Sequence, residues 1–246
     1  MQVTAVCPVL SHSPHAPSAF DIEPGEHVIA AYTEKRAGPT LIVIGGLHGN
    51  EPAGGRALRE IAPLIEKLAT RLKGRVYLTA GNTRALRAGV RFIDHDLNRA
   101  WTRENLEAAG TREGERTAEG RELSELDRLL DRILVTAQDE VYILDLHSTS
   151  AGGHPFATVG DTLRNRTFAK KFPVRLLLGI EEQLEGTMLE YLNNAGAVTL
   201  GFEGGRHDAA ATVENHVAMI WLALAAAGIL PLECVPDLRT HTMRLA

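Results

Sequence analysis

Cysteine is nearly absent from the 246 residues: Cys7 and Cys234 stand near opposite ends. Two such distant residues make neither a disulfide framework nor a CxxC metal site, and a reducing cytoplasm is the simplest setting. Basic excess is also missing, because 26 Lys and Arg face 31 Asp and Glu for a formal charge of −5. Without a basic stripe to neutralise phosphates, a nucleic-acid partner is disfavoured. No apolar run reaches the roughly 20 residues a bilayer requires. The most apolar stretch, Val217 to Leu230, therefore reads as a buried helix, and no membrane partner is expected. Met1 to Phe20 lacks a basic start followed by an apolar core, so it reads as an irregular or edge-strand lead-in rather than a secretion signal. There is no repeat, no low-complexity tract and no interdomain linker. Neither a G-x-S-x-G elbow nor a G-x-G-x-x-G turn occurs, which removes the usual serine-hydrolase and dinucleotide readings.

What remains is a chain with 44% hydrophobic residues, enough for one sizeable core. Strand patterns at His27 to Tyr32, Thr40 to Ile44, Arg75 to Thr79, Val141 to Leu144 and Ala197 to Phe202 alternate with helical stripes. One stripe comprises Leu58, Ile61, Leu64, Ile65, Leu68 and Leu72, with Pro63 expected to kink or restart the helix. Another comprises Leu123, Leu126, Leu130, Ile133 and Leu134, and a third Val213, Val217, Ile220, Trp221 and Leu224, closed by Gly228. Thr102 to Glu122, rich in charge, reads as a solvated loop, and Pro231 to Ala246 as a short tail. The expectation is a single α/β domain over 1–246 with a mixed, mostly parallel central sheet and helices on both faces.

Four clusters can carry chemistry. His48-Gly49-Asn50-Glu51 follows a strand and offers one nitrogen and one oxygen ligand, although HxxE alone is a weak motif. Asp145-Leu146-His147 ends another strand and can bring a second imidazole to the same point; Asp145 is either plain strand alternation or a partner that orients the histidine. Two His and one Glu match catalytic zinc, since three protein ligands leave a position for water. Arg91-Phe92-Ile93-Asp94-His95-Asp96-Leu97-Asn98-Arg99 combines carboxylate-gripping arginines with acids, or is an ion-paired surface loop. Gly201-Phe202-Glu203-Gly204-Gly205 offers Glu203 as a general base or as a simple strand-end acid. His154, Arg206 and His207 read as surface residues of Gly-rich loops and His95 as locally paired, while His12, His15, His216 and His241 show no partner pattern.

In this order the four motifs resemble the succinylglutamate desuccinylase and aspartoacylase family, which is related to the zinc carboxypeptidases. The resemblance implies a zinc-dependent deacylase acting on a small N-acyl amino acid, with one Zn2+ held by His48, Glu51 and His147. It implies that Glu203 moves protons between water and the leaving amine. It further implies that Arg91 polarises the scissile carbonyl and that Asn98 and Arg99 bind the α-carboxylate. A carboxypeptidase for short peptides, or a non-catalytic zinc-binding relative, would use the same clamp. The sequence departs from the family pattern at Asn82-Thr83-Arg84-Ala85, where relatives commonly have Pro in place of Thr, and at Ala100-Trp101. It also ends soon after its last helix, without the β-rich C-terminal domain that helps to shape the pocket in aspartoacylase, so acyl group and amino acid stay unassigned.

Overall fold

The computed structural model describes residues 23, 25–33, 37–180 and 183–246. The lead-in Met1 to Phe20, with Cys7, His12 and His15, lies outside the described residues. The strands are β1 (Val28–Thr33), β2 (Thr40–Gly45), β3 (Arg75–Ala80), β4 (Val141–Thr149), β5 (Phe156–Val159), β6 (Arg175–Leu178) and β7 (Val198–Arg206). They form one sheet in the order β1-β3-β2-β4-β7-β5-β6. β3, β2, β4 and β7 run parallel, as do β5 and β6, whereas β1 pairs antiparallel with β3 and β5 with β7. This is the expected mixed, mostly parallel α/β sheet.

The central strand β2 is buried along its whole length, as a strand covered on both faces must be. Its side chains alternate: Leu41 and Val43 join one core and Ile42 and Ile44 the other. The first core packs α1 (Pro52–Glu66), α5 (Leu163–Ala169) and α7 (Ala210–Ala226) on one face, and the second packs α4 (Ala118–Thr136) and α6 (Met188–Asn194) on the opposite face. A short helix α2 (Thr83–Ala88) follows β3.

Three expectations are corrected. Helix α1 runs unbroken through Pro63, because the proline falls in the last turn, where losing one hydrogen bond costs little. Thr102 to Glu122 is not a loop: Thr102 caps α3 (Arg103–Ala109) by accepting from the Asn105 amide, and Thr117 caps α4 by accepting from Gly120. The Ala, Glu and Arg content that suggested solvent is also good helix composition. The segment 231–246 is not a bare tail, since α8 (Leu238–Leu245) packs on α7 and buries His241 and Leu245. Among the described residues, no helix is long and apolar enough to cross a membrane.

Candidate metal centre

Parallel strands deliver their ends to the same side of a sheet, and the loops there form the crevice in which α/β proteins place their sites. β2 ends at Gly45 and the chain turns through Gly46 and Leu47 to His48; β4 lies beside it in parallel register, Gly45 against Leu146, and β7 beside β4 with His147 opposite Glu203. Asp145, His147 and Glu203 therefore share one face, while Leu146 and Phe202 point into the opposite core.

Gly49 fixes the entry of the loop. A Cβ at that position would lie 2.1 Å from the carbonyl carbon of Ala85, so only glycine lets the 48–51 turn press against α2. The Gly49 amide donates to the Arg91 carbonyl at 3.1 Å, which ties the second motif to the first.

The result brings His48, Glu51 and His147 together. One ligand atom from each lies within 4.8 Å of the others. His48 Nδ1 is 2.9 Å from Glu51 Oε1, and His147 Nδ1 is 3.4 Å from Glu51 Oε2. Both outward nitrogens meet aspartates: His147 Nε2 is 2.8 Å from Asp145 Oδ2 and His48 Nε2 is 3.2 Å from Asp96 Oδ1. An imidazole whose Nε2 proton is taken by a carboxylate presents Nδ1 as a free lone pair, which is how a ligand histidine is oriented. Asp145 is thus an orienting partner as well as an alternating strand residue, and Asp96 is its counterpart for His48. The Ser148 amide donates to Glu51 Oε2 at 2.7 Å and holds that carboxylate in place.

Arg91 reaches the cluster from outside. Its Nη2 is 2.9 Å from both Asp96 Oδ2 and His48 Nε2, and Nη1 is 3.7 Å from Glu51 Oε1. His48 Nε2 cannot donate to Asp96 and accept from Arg91 at once, whereas the guanidinium donates to Asp96 Oδ2 whichever tautomer His48 holds. Asn98 sits half-buried with its side-chain oxygen accepting from the Met188 amide at 3.0 Å, which leaves the NH2 end as its donor group. Arg99 is exposed and donates to the Asn98 carbonyl. Neither the Asn98 nor the Arg99 side chain bonds to the three-donor group.

Charge is concentrated here. Burial favours the neutral form of Glu51, but the two histidines outweigh it and hold the carboxyl well below its usual range. Burial opposes charge on His147, yet Asp145 and Glu51 raise its pKa well above the ordinary imidazole value; burial likewise opposes charge on His48, whose pKa Asp96 and Glu51 raise. Glu203 shifts upwards, chiefly through burial, and its Oε2 is buried with no hydrogen-bond partner. Glu51, Asp96, Asp145 and Glu203 thus gather around two imidazoles with Arg91 as the neighbouring permanent cation. A metal cation held by the two imidazoles and Glu51 would take the place of the protons that these acids favour on the histidines. Two imidazole nitrogens and a carboxylate oxygen fit a zinc ion in a site open to water.

His216 was not foreseen. It is fully buried on α7, its Nε2 lies 2.9 Å from the His147 carbonyl oxygen, and burial pushes its pKa down to about 4, so it is a neutral donor to that carbonyl. Gly204 makes room for it, since a Cβ there would lie 2.4 Å from His216 Nε2. His207 also departs from its surface reading: it is half-buried, with Nδ1 2.8 Å from Ser148 Oγ. His154, Arg206 and His95 are exposed, the first two as expected; Arg206 pairs with Asp208.

Comparison with known proteins agrees with this geometry. A sequence model of the succinylglutamate desuccinylase/aspartoacylase catalytic domain matches residues 37–220. The succinylglutamate desuccinylase of Pseudomonas paraeruginosa is 32% identical over 118 residues, 47% of this chain and 32% of that protein. That of Burkholderia orbicola is 34% identical over 89 residues, 36% of this chain and 26% of that protein. Each match thus spans a third or less of the curated relative. Among solved structures, the product-bound ectoine utilization protein EutE (DoeB) of Ruegeria pomeroyi superposes with a TM-score of 0.62 at 26% identity, covering 80% of this chain and 60% of that one. Succinylglutamate desuccinylase of Vibrio parahaemolyticus gives 0.63 at 20% identity, covering 81% and 60%, which speaks for the fold. With the family model spanning β2 to β7 and all four motifs, the chain belongs to the succinylglutamate desuccinylase/aspartoacylase family.

Proposed function

We propose that this chain is a zinc-dependent amidohydrolase that cleaves the acyl group from a small N-acyl amino acid, working as one catalytic domain over 1–246. The observation that carries the reading is the three-donor cluster of His48, Glu51 and His147 beside the unpartnered carboxyl oxygen of Glu203. Bound zinc would supply Lewis acidity, making water acidic enough to attack near neutral pH and polarising the carbonyl.

The chain's own groups supply the rest. Asp145 and Asp96 keep the two imidazoles turned inwards. Glu203, whose pKa is raised chiefly by burial, takes a proton from the attacking water and returns one to the departing amine. Arg91 donates to the carbonyl oxygen as charge develops there. Asn98, through its NH2 group, and the exposed Arg99 receive the α-carboxylate. No covalent intermediate is required. The low cysteine content favours a reducing compartment, and a cytoplasmic setting is part of the proposal.

The test is elemental analysis of purified wild type and His147→Ala, followed by an amine-release screen against N-acyl amino acids and short peptides. About one zinc per wild-type chain, lost together with turnover in the variant, is the expected result. An active metal-free wild type would overturn the zinc assignment, and release from peptides alone would favour a carboxypeptidase.

A further inference from the structure

The segment 91–98 carries Arg91, Asp96 and Asn98, and its C-terminal end is anchored by Leu97, buried in the core. Residues 91–95 are exposed, Phe92 at 38% and Ile93 at 48%, so packing contributes little there and polar ties must fix the course of that part. The densest of these ties is Glu119 in the first turn of α4, a carboxylate with no exposed surface. Its Oε1 accepts from the Ile93 amide at 2.8 Å and from Asn82 Nδ2 at 3.0 Å; its Oε2 accepts from the Asp94 amide at 2.8 Å and the His95 amide at 3.3 Å. Three consecutive backbone amides thus converge on one buried acid. Asp94 returns the tie, its Oδ2 accepting from Ala118 N at the start of α4. An acid in the first helical turn is also favoured by the helix dipole, so the charge is ready without a basic partner.

We infer that Glu119 is a positioning residue for substrate recognition: by clasping the amides of 93–95 it sets where Arg91 and Asn98 meet the substrate. The inference rests on the deacylase reading for what is recognised, and on hydrogen bonds alone for the clasp. A plain helix-to-loop anchor would matter for stability only. A positioning residue must also alter discrimination between a substrate with a free α-carboxylate and its uncharged carboxamide.

The experiment compares zinc-loaded wild type with Glu119→Gln, which turns an NH2 group towards backbone donors, and with Asp94→Ala, a milder break on the exposed side of the clasp. Amide hydrogen exchange reads the clasp directly: residues 93–95 are expected to be protected in wild type and to lose protection in both variants while β4 keeps its own. The ratio of kcat/KM for an N-acetyl amino acid over its carboxamide is expected to fall about tenfold, more in Glu119→Gln than in Asp94→Ala. Unchanged protection at 93–95, or lost protection with an unchanged ratio, would overturn the inference. An inactive wild type would sink the deacylase reading instead; calorimetric binding of the same pair of compounds then replaces the kinetic ratio, and a wild type that binds both equally or neither would overturn the inference too.

Discussion

Glu203 has one carboxyl oxygen buried without a partner, directly across the β4–β7 pair from His147, and the proposed proton transfer would account for that cost. Glu203→Gln is therefore expected to keep its zinc by elemental analysis while amine release falls by about 10²- to 10⁴-fold. Asp145 acts through His147 instead. In Asp145→Asn the Nε2 partner loses its charge, and zinc affinity should weaken about 10- to 100-fold in a competition titration with a chromogenic chelator, with the fold intact by circular dichroism. The convergence of His48, Glu51 and His147 was legible in the sequence because His147 lies near the end of one recognisable strand and His48 and Glu51 in the turn after another. Asp96 was visible only as one acid in a charged stretch, since its use as the His48 partner depends on the Gly49 to Arg91 tie across the fold. His216 carried no signal at all: a histidine among apolar residues of a helix reads as core, and its contact with the His147 carbonyl exists only once α7 lies against β4.

Along α4, Glu119, Glu122 and Glu125 recur at three-residue intervals and face the segment after β3. Glu122 accepts from the Thr83 amide at 3.0 Å and the Thr83 hydroxyl at 2.6 Å, bonds that a proline at position 83 could not donate. Glu125 pairs with Arg84 and His27, and these partners outweigh its burial and hold its carboxyl down to about 2. Glu119 is lowered as well, its four donors outweighing burial. Lowered carboxyls stabilise the fold fully above their unfolded pKa and lose that contribution as pH falls through the folded value. For Glu125 the window runs from roughly pH 4.5 down to about 2. His27 is raised, its acidic partners outweighing burial, so its contribution is full below about pH 6.5 and lost as pH rises through its folded value. Thermal melts between pH 2 and pH 8 should show Glu125→Gln with a flatter acid limb than wild type; parallel curves would count against the pairing. This polar ladder was hidden in the sequence because helical composition in Thr102 to Glu122 was read as solvation, and the threonine caps that start α3 and α4 look like ordinary loop residues.

Across the whole molecule, the alternation of strands and helices was readable from periodicity, and so was the mostly parallel sheet. Strand order and the antiparallel settings of β1 and β5 were not, because a run of apolar residues carries no arrow. The order matters most where β2 lies against β4: Thr40 pairs with Val141, so neighbours in the sheet are about a hundred residues apart along the chain. Chelator treatment should accordingly lower the melting temperature and added zinc restore it, by an amount that grows with free zinc concentration; a melting temperature indifferent to both would contradict the assignment. An ion gripped by residues 48, 51 and 147 would then behave as a removable rivet through a very long loop. Occupancy would decide how often the two halves of the chain come unfastened, so metal supply would govern lifetime as well as turnover.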